Sequence, residues 1–215
     1  MGEASPHLCA VKLNRQLVLP LGLEATRALV GGIHDLGLPA IMDCKLNDVG
    51  HTNAAIARYY FNVGFDALTA SPFVGWEGGL QSVFEVAGEA GGGVILLVYM
   101  SHPGAVEGYG QWVVDAETGE RRPQYLVFAE KALRWGADGV VVGATYPEKI
   151  REVFKVLGGE IPIFSPGVGA QGGSVEGAVV AGASYLIVGR SIINAEHPGM
   201  VAESLKERVN KALGR

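Results

Sequence analysis

The stretch Ala40-Ile41-Met42-Asp43-Cys44-Lys45-Leu46-Asn47-Asp48 decides how this chain is read. An apolar run enters it, and two acids and an amine leave it. Alternate residues of a strand share a face, so Asp43 and Lys45 are expected to point the same way. Asp48 falls where the strand has already turned into a loop. Charges emerging from an apolar strand destabilise the fold unless they are paired. Paired charges of this kind collect at functional sites. The stretch therefore predicts a catalytic cluster at the C-terminal end of a buried strand, with a merely solvated loop as the competing reading.

Outward from this strand the pattern repeats. Apolar, β-branched runs recur at Leu8–Leu13, Ala40–Lys45, Ala67–Ser71, Val94–Met100, Gly139–Ala144, Pro162–Pro166 and Tyr185–Arg190. Segments of helical spacing separate them, including Gly22–Leu36, Thr52–Val63, Gln124–Trp135, Pro147–Leu157 and Pro198–Leu213. Strands alternating with helices imply βα units and a parallel sheet. Continuous apolar strands imply burial on both faces. Gly64, Gly136 and Gly182 sit where helices should end, each two residues before a polar position that opens the next strand. A (β/α)8 TIM barrel closes such a repeat. An open doubly wound sheet is the alternative, though no GxGxxG opens the chain. Seven strands are visible, and the first of the eight is either missing or unrecognised in this chain. Residues 105–124 break the rhythm and predict a small hairpin with a polar tip, as a lid or a solvated excursion.

The length, 215 residues, suits a single domain spanning 1–215. Charged residues make up 18% against 48% hydrophobic, which excludes a disordered chain. A net charge of −5 argues against a nucleic-acid partner. No apolar run has the length of a membrane span, and no signal peptide is visible. Cys9 and Cys44 lack metal-ligand spacing and are expected to be small buried residues in a reducing, cytoplasmic setting.

Three further motifs stand at strand ends. Ser165-Pro166-Gly167-Val168-Gly169-Ala170-Gln171-Gly172-Gly173 follows one strand, and its glycines let backbone N–H groups approach a ligand. Val188-Gly189-Arg190-Ser191 ends the last strand, where Arg190 offers a planar cation to phosphate oxygens. Loops after the last two strands of barrels often bind phosphate. Tyr99-Met100-Ser101-His102-Pro103-Gly104 places a hydroxyl and an imidazole after a third strand. Helix capping and a simple turn compete for those two residues. Lys12 is a lone cation in an apolar run and needs an anionic partner, with Asp43 and Asp48 as candidates.

Together these residues resemble orotidine 5'-phosphate decarboxylase, especially its archaeal forms, from about Val11 to the C-terminus. The likeness rests on DCKLND at 43–48 with Thr52-Asn53, MSHPG at 100–104, SPGVGAQGG at 165–173 and VGRSI at 188–192. The resemblance implies a cofactor-free, metal-free barrel that acts as a homodimer and converts orotidine 5'-phosphate to UMP and CO2. It implies that Lys12, Asp43, Lys45 and Asp48 form the catalytic charge network, and that Asp48 and Thr52 are presented to the neighbouring subunit's site. Ser101 matches the pyrimidine-binding serine. Pro166, Gly167, Val168 and Gln171 match the closing loop that reaches phosphate and pyrimidine, and Gly189 and Arg190 match the phosphate grip. The family's early strand, ending in a ribose-binding Asp, has no counterpart here. An eighth strand of that kind is expected to be encoded just upstream of Met1.

The residue types suit that chemistry. Losing CO2 from C6 leaves a carbanion with no ring sink, and a fixed ammonium at Lys45 stabilises the charge and then donates a proton. Asp48 would oppose the substrate carboxylate. Two other readings remain: a magnesium-dependent sugar-phosphate decarboxylase or synthase sharing D-x-K-x-x-D, and a non-catalytic sensor of phosphate ligands.

Overall fold

The computed structural model describes residues 2–116, 118–169 and 171–214. It has two compact units, Met1–Leu96 and Leu97–Arg215, and the boundary falls inside one strand.

In the first unit the strands are β1 (Val11–Asn14), β2 (Ala40–Leu46), β3 (Ala67–Ala70) and the start of β4 (Gly93–Tyr99). They pair in sequence order, each pair parallel. The connecting segments carry α1 (Arg15–Val18), α2 (Gly22–His34), α3 (Gly50–Val63) and α4 (Gln81–Ala90). Met42 and Leu68 of the sheet and Val30, Ile33 and Val83 of the helices are fully buried and belong to its core. At the joint after α3, Gly64 takes the left-handed conformation (φ 113°) that ends the helix. Two residues on, the Asp66 carboxylate accepts the Ala40 N–H (2.7 Å) and meets the His34 ring (2.9 Å), which ties β2 to the joint.

The second unit contains the end of β4 and a ladder in the order β4, β7 (Gly139–Val142), β8 (Ile163–Pro166), β9 (Tyr185–Ile187). The β7–β8 and β8–β9 pairs are parallel. Its helices are α5 (Ala105–Gly108), α6 (Gln124–Trp135), α7 (Pro147–Leu157), α8 (Val175–Ala181), α9 (Arg190–Ile193) and α10 (Pro198–Ala212). Phe128, Ile150, Leu157 and Ile163 form its buried core. Left-handed glycines close α6, α7 and α8 at Gly136, Gly158 and Gly182.

All seven strand runs expected from the sequence are present. Gln124–Trp135 and Pro147–Leu157 match their expected bounds. Residues 105–124 do contain the hairpin, as antiparallel β5 (Trp112–Val114) and β6 (Arg121–Pro123). Its base is anchored: Arg122 forks onto Glu130 of α6, and Gln124 N–H donates to the Gln111 carbonyl (2.7 Å). One expectation is corrected. Cys9 is exposed, because β1 begins at Val11 and leaves it outside the sheet, whereas Cys44 is buried as expected.

Candidate active site

The first unit brings three of the four predicted catalytic residues into one network. Lys12 projects from β1, Asp43 and Lys45 from the paired strand β2. Lys12 Nζ donates to Asp43 Oδ2 (2.5 Å) and to Asn14 Oδ1 (2.7 Å). Lys45 Nζ donates to Asp43 Oδ1 (2.5 Å). Thr69 Oγ1 on β3 donates to the same oxygen (3.0 Å). The Asp43 side chain is only 12% exposed, so burial pushes its carboxyl pKa up; the two lysine ammoniums and their hydrogen bonds outweigh burial and hold it below the ordinary 3.8. Of the two cations, Lys45 is the accessible one, 39% exposed against 18% for Lys12.

The backbone explains how Lys45 reaches this position. Between Met42 and Leu46 the β2–β3 register shifts: Met42 pairs with Leu68 but Leu46 with Ala70. Within that irregularity Lys45 adopts φ 51°, the one left-handed non-glycine residue among the described residues. Such a conformation persists only where the surroundings over-determine it. Thr69 provides that constraint. Its hydroxyl accepts the Lys45 N–H (2.9 Å), standing in for a lapsed ladder bond while donating to Asp43. The neighbouring Cys44 thiol donates to the Thr69 carbonyl (3.4 Å), and burial pushes its pKa up to about 12. It is an unreactive core group.

Asp48 stands apart from this network. It follows β2 and is exposed, and its Oδ1 accepts the Val49 N–H (2.7 Å). Neither lysine pairs with it among the described residues of this chain. Thr52 lies one turn further on, in the opening of α3.

In the second unit, Ser101 follows β4 and is held by the end of β7. Gly143 N–H donates to the Tyr99 carbonyl (2.8 Å), and Thr145 Oγ1 donates to the Ser101 carbonyl (3.0 Å). A Cβ at Gly143 would lie 2.6 Å from Ser101 Cα, so only glycine fits there. The glycine-rich loop after β8 is internally braced: Gly173 N–H donates to the Gly167 carbonyl and Gly169 N–H to the Gly173 carbonyl, both at 3.0 Å. Pro166 gives its carbonyl to Ala144 N–H (2.7 Å), and Val168 bridges to Gly173. Ser101, Gly167 and Gln171 converge. The place a Gly167 Cβ would occupy is 3.0 Å from Ser101 Cβ and 2.9 Å from Gln171 Oε1. Gly189 and Arg190 are exposed at the start of α9, and Arg190 has no ion pair among the described residues. Ala170 of the motif lies outside the described residues.

Behind the loop is an open recess of about 390 Å³ lined by Val168, Gly169, Gly173, Ser191 and, from α10, Met200 and Arg208. Neither Ser101, Gln171 nor Arg190 lines it, and Arg208 is engaged by Glu176 (2.8 and 2.9 Å). Of the residues predicted to hold substrate, only Val168 lines it.

The family described as "Orotidine 5'-phosphate decarboxylase / HUMPS family" matches residues 1–205. The chain belongs to this family. Orotidine 5'-phosphate decarboxylase of Methanococcoides burtonii is 36% identical over 97% of this chain and 88% of that protein. The protein of the same name from Pyrococcus abyssi is 35% identical over 96% and 89%. Among solved structures, the Methanocaldococcus jannaschii orotidine 5'-monophosphate decarboxylase complexed with inhibitor BMP has a TM-score of 0.83 at 30% identity, covering 97% of this chain and 89% of that one. The Pyrococcus horikoshii OT3 enzyme gives 0.79 at 34%, covering 97% and 90%. Likeness over nearly the whole chain places the fold in the (β/α)8 barrel class, as the repeated βα unit predicts; among the described residues seven strands of that class are present.

Two site residues escaped the reading of the sequence. Thr69 and Asn14 each hold the charge network. The available signal was a lone polar residue in an otherwise apolar run, Ala67-Leu68-Thr69-Ala70, of the kind that drew attention to Lys12.

Proposed function

We propose that this chain decarboxylates orotidine 5'-phosphate to UMP and CO2 in pyrimidine biosynthesis, without a metal or cofactor. The observation that carries this reading is Asp43 held between two ammoniums, with the outer one, Lys45, accessible. As the C6–carboxylate bond breaks, its electron pair stays on C6 and CO2 leaves. Lys45 stabilises that pair, then gives C6 its proton, and the resulting amine regains a proton from water. Asp43 pairs with the Lys45 ammonium, and Lys12 with Thr69 keeps Asp43 in place, so little reorganisation is needed during the reaction. Asp48, a second carboxylate, is set against the substrate's own.

Ser101 and Gln171 bind the pyrimidine in this scheme. Gly189, Arg190 and the Pro166–Val168 backbone bind the phosphate, whose remote binding energy drives closure and raises the rate. Residues 1–215 act as one catalytic domain, and two copies form a homodimer in which Asp48 and Thr52 serve the partner's site. The exposure of Asp48, and the absence of a partner for it in its own chain's network among the described residues, support that arrangement. A cytoplasmic setting accords with two free thiols, and no helix of the described residues is long and apolar enough to cross a membrane.

The test is to add orotidine 5'-phosphate with a metal chelator and follow its ultraviolet absorbance. Metal-independent loss of absorbance is expected. A dependence on magnesium, or no turnover beside activity on a sugar phosphate, would overturn the reading. For the shared site, Lys45→Ala and Asp48→Ala proteins are mixed after subunit exchange has been shown by mass spectrometry. Activity should return to about a quarter of sites, because half the dimers are mixed and each has one intact site. Mixed dimers that stay inactive would refute sharing.

A further inference from the structure

Asn53 has no part in the reaction described above, yet it is fully buried, at 0% exposure, in the first turn of α3. Its side chain spends all its hydrogen-bonding reach on main chain. Oδ1 accepts the Asp48 N–H (3.2 Å), and Nδ2 donates to the Asp48 carbonyl (2.5 Å) and to the Gly79 carbonyl (3.2 Å). One amide thus grips both polar groups of a single residue and ties them to the turn at Trp76–Leu80. The grip is reinforced around it. Ser82 Oγ lies 2.7 Å from the Gly50 carbonyl and 3.2 Å from that of Gly79, and a Cβ at Gly50 would come within 3.2 Å of the Gly78 carbonyl.

We propose that Asn53 is a positioning residue for Asp48. It fixes the Asp48 peptide, and through it the direction in which the exposed carboxylate is presented. The chemistry singles out asparagine. Aspartate could accept from Asp48 N–H but would set a buried negative charge against two carbonyls. Leucine would fill the space and leave both main-chain groups of Asp48 without the partner that Asn53 supplies. The contrast with Asp48 itself is informative: its exposed carboxylate bonds only the adjacent Val49 N–H among the described residues, while its main chain is clamped from α3. That is the arrangement expected of a charge that must meet a substrate at a fixed angle instead of pairing within its own chain.

The inference rests on the proposed role of Asp48 in decarboxylation, and the experiment separates the two. Asn53→Ala and the milder Asn53→Ser are made in the natural chain and in an Asp48→Asn background, with Ser82→Ala as a reference that loosens the same turn without touching the Asp48 peptide. Steady-state decarboxylation, UMP affinity and melting temperature are measured for each. In the natural background, an Asn53 variant should lower kcat by roughly 10–100-fold, the scale of a small misplacement of a catalytic group. UMP affinity, which involves no C6 carboxylate, should change less than about threefold, the scale of a peripheral contact. In the Asp48→Asn background the same substitution should cost less than about threefold more, since residues acting as a unit are non-additive. Ser82→Ala should lower the melting temperature and leave kcat in place. Should Asn53→Ala fail to fold, Asn53→Ser carries the comparison. Equal losses in both backgrounds, or a folded Asn53 variant with unchanged kcat, would overturn the inference alone. A natural chain without turnover, or an Asp48→Asn variant with full kcat, would overturn the functional reading and this inference with it.

Discussion

The Lys12–Asp43–Lys45 network and the Gly167–Arg190 region divide their electrostatic work in opposite ways. In the first, every charge is partnered before any ligand is bound, and the central carboxylate is buried under Thr69 and two lysines. In the second, Arg190 is exposed with no ion pair among the described residues, and the loop is braced by its own backbone. The difference follows from what each must meet. The charge on C6 itself is absent until the carboxylate leaves as CO2, so on the proposed function the groups that meet it must be set in place by folding. A phosphate brings its own charge, and a solvated guanidinium waits for it at little cost. On the proposed function, preorganisation falls where charge would develop during reaction, and openness where the ligand would supply it.

That contrast breaks most visibly at Lys45. Lys45→Ala should lower kcat by at least about 100-fold while UMP binding persists, because general acid catalysis alone contributes about 10²–10⁴-fold. A variant keeping more than about a hundredth of the activity would remove Lys45 as proton donor. The phosphate region should respond through KM. Arg190→Ala should raise KM by roughly 10–100-fold, the worth of a charge-assisted pair, with a smaller fall in kcat. Gln171→Ala should be milder in both. Equal and negligible effects on the two would take phosphate binding away from residues 165–190.

Acid sharpens the same comparison. The Asp43 carboxyl is depressed below 3.8, so its pairing stabilises the fold fully above that value and is lost as pH falls through the lower folded value. Urea unfolding of the natural chain and Asp43→Asn between pH 6 and about 3 should therefore give a stability gap that narrows on acidification. At neutral pH the gap should reach about 3–5 kcal/mol, because the two lysines lose their common partner. A gap that stayed constant with pH would mean that Asp43 contributes by packing and not by charge.

The parts of the molecule that were legible in the sequence were those set by local chemistry. Buried strands announced themselves as apolar runs, and helix ends as glycines such as Gly64 and Gly136. Lys12, Asp43 and Lys45 stood out because a charge in an apolar strand demands a partner. The choice of Asp43 over Asp48 as that partner was not legible, since it depends on the pairing of β1 with β2. Thr69 and Asn53 stayed hidden for the same reason. Each acts on a residue from another strand or turn, and nothing local distinguishes a threonine that accepts Lys45 N–H from one that merely suits a strand. Cys9 was misplaced by a three-residue error in where β1 begins, the scale on which element boundaries read from sequence are ordinarily uncertain.

The left-handed backbone of Lys45 has a consequence for how this protein trades durability against activity. A side chain in that conformation costs about 1–2 kcal/mol relative to glycine, and the cost falls on the residue assigned the chemistry. Inside a strand, glycine normally destabilises relative to alanine. Here the order should invert: Lys45→Gly should melt above Lys45→Ala, although both are inactive. The best residue for folding at this position is then not the one the chain carries, and the lysine marks where stability has been surrendered for function.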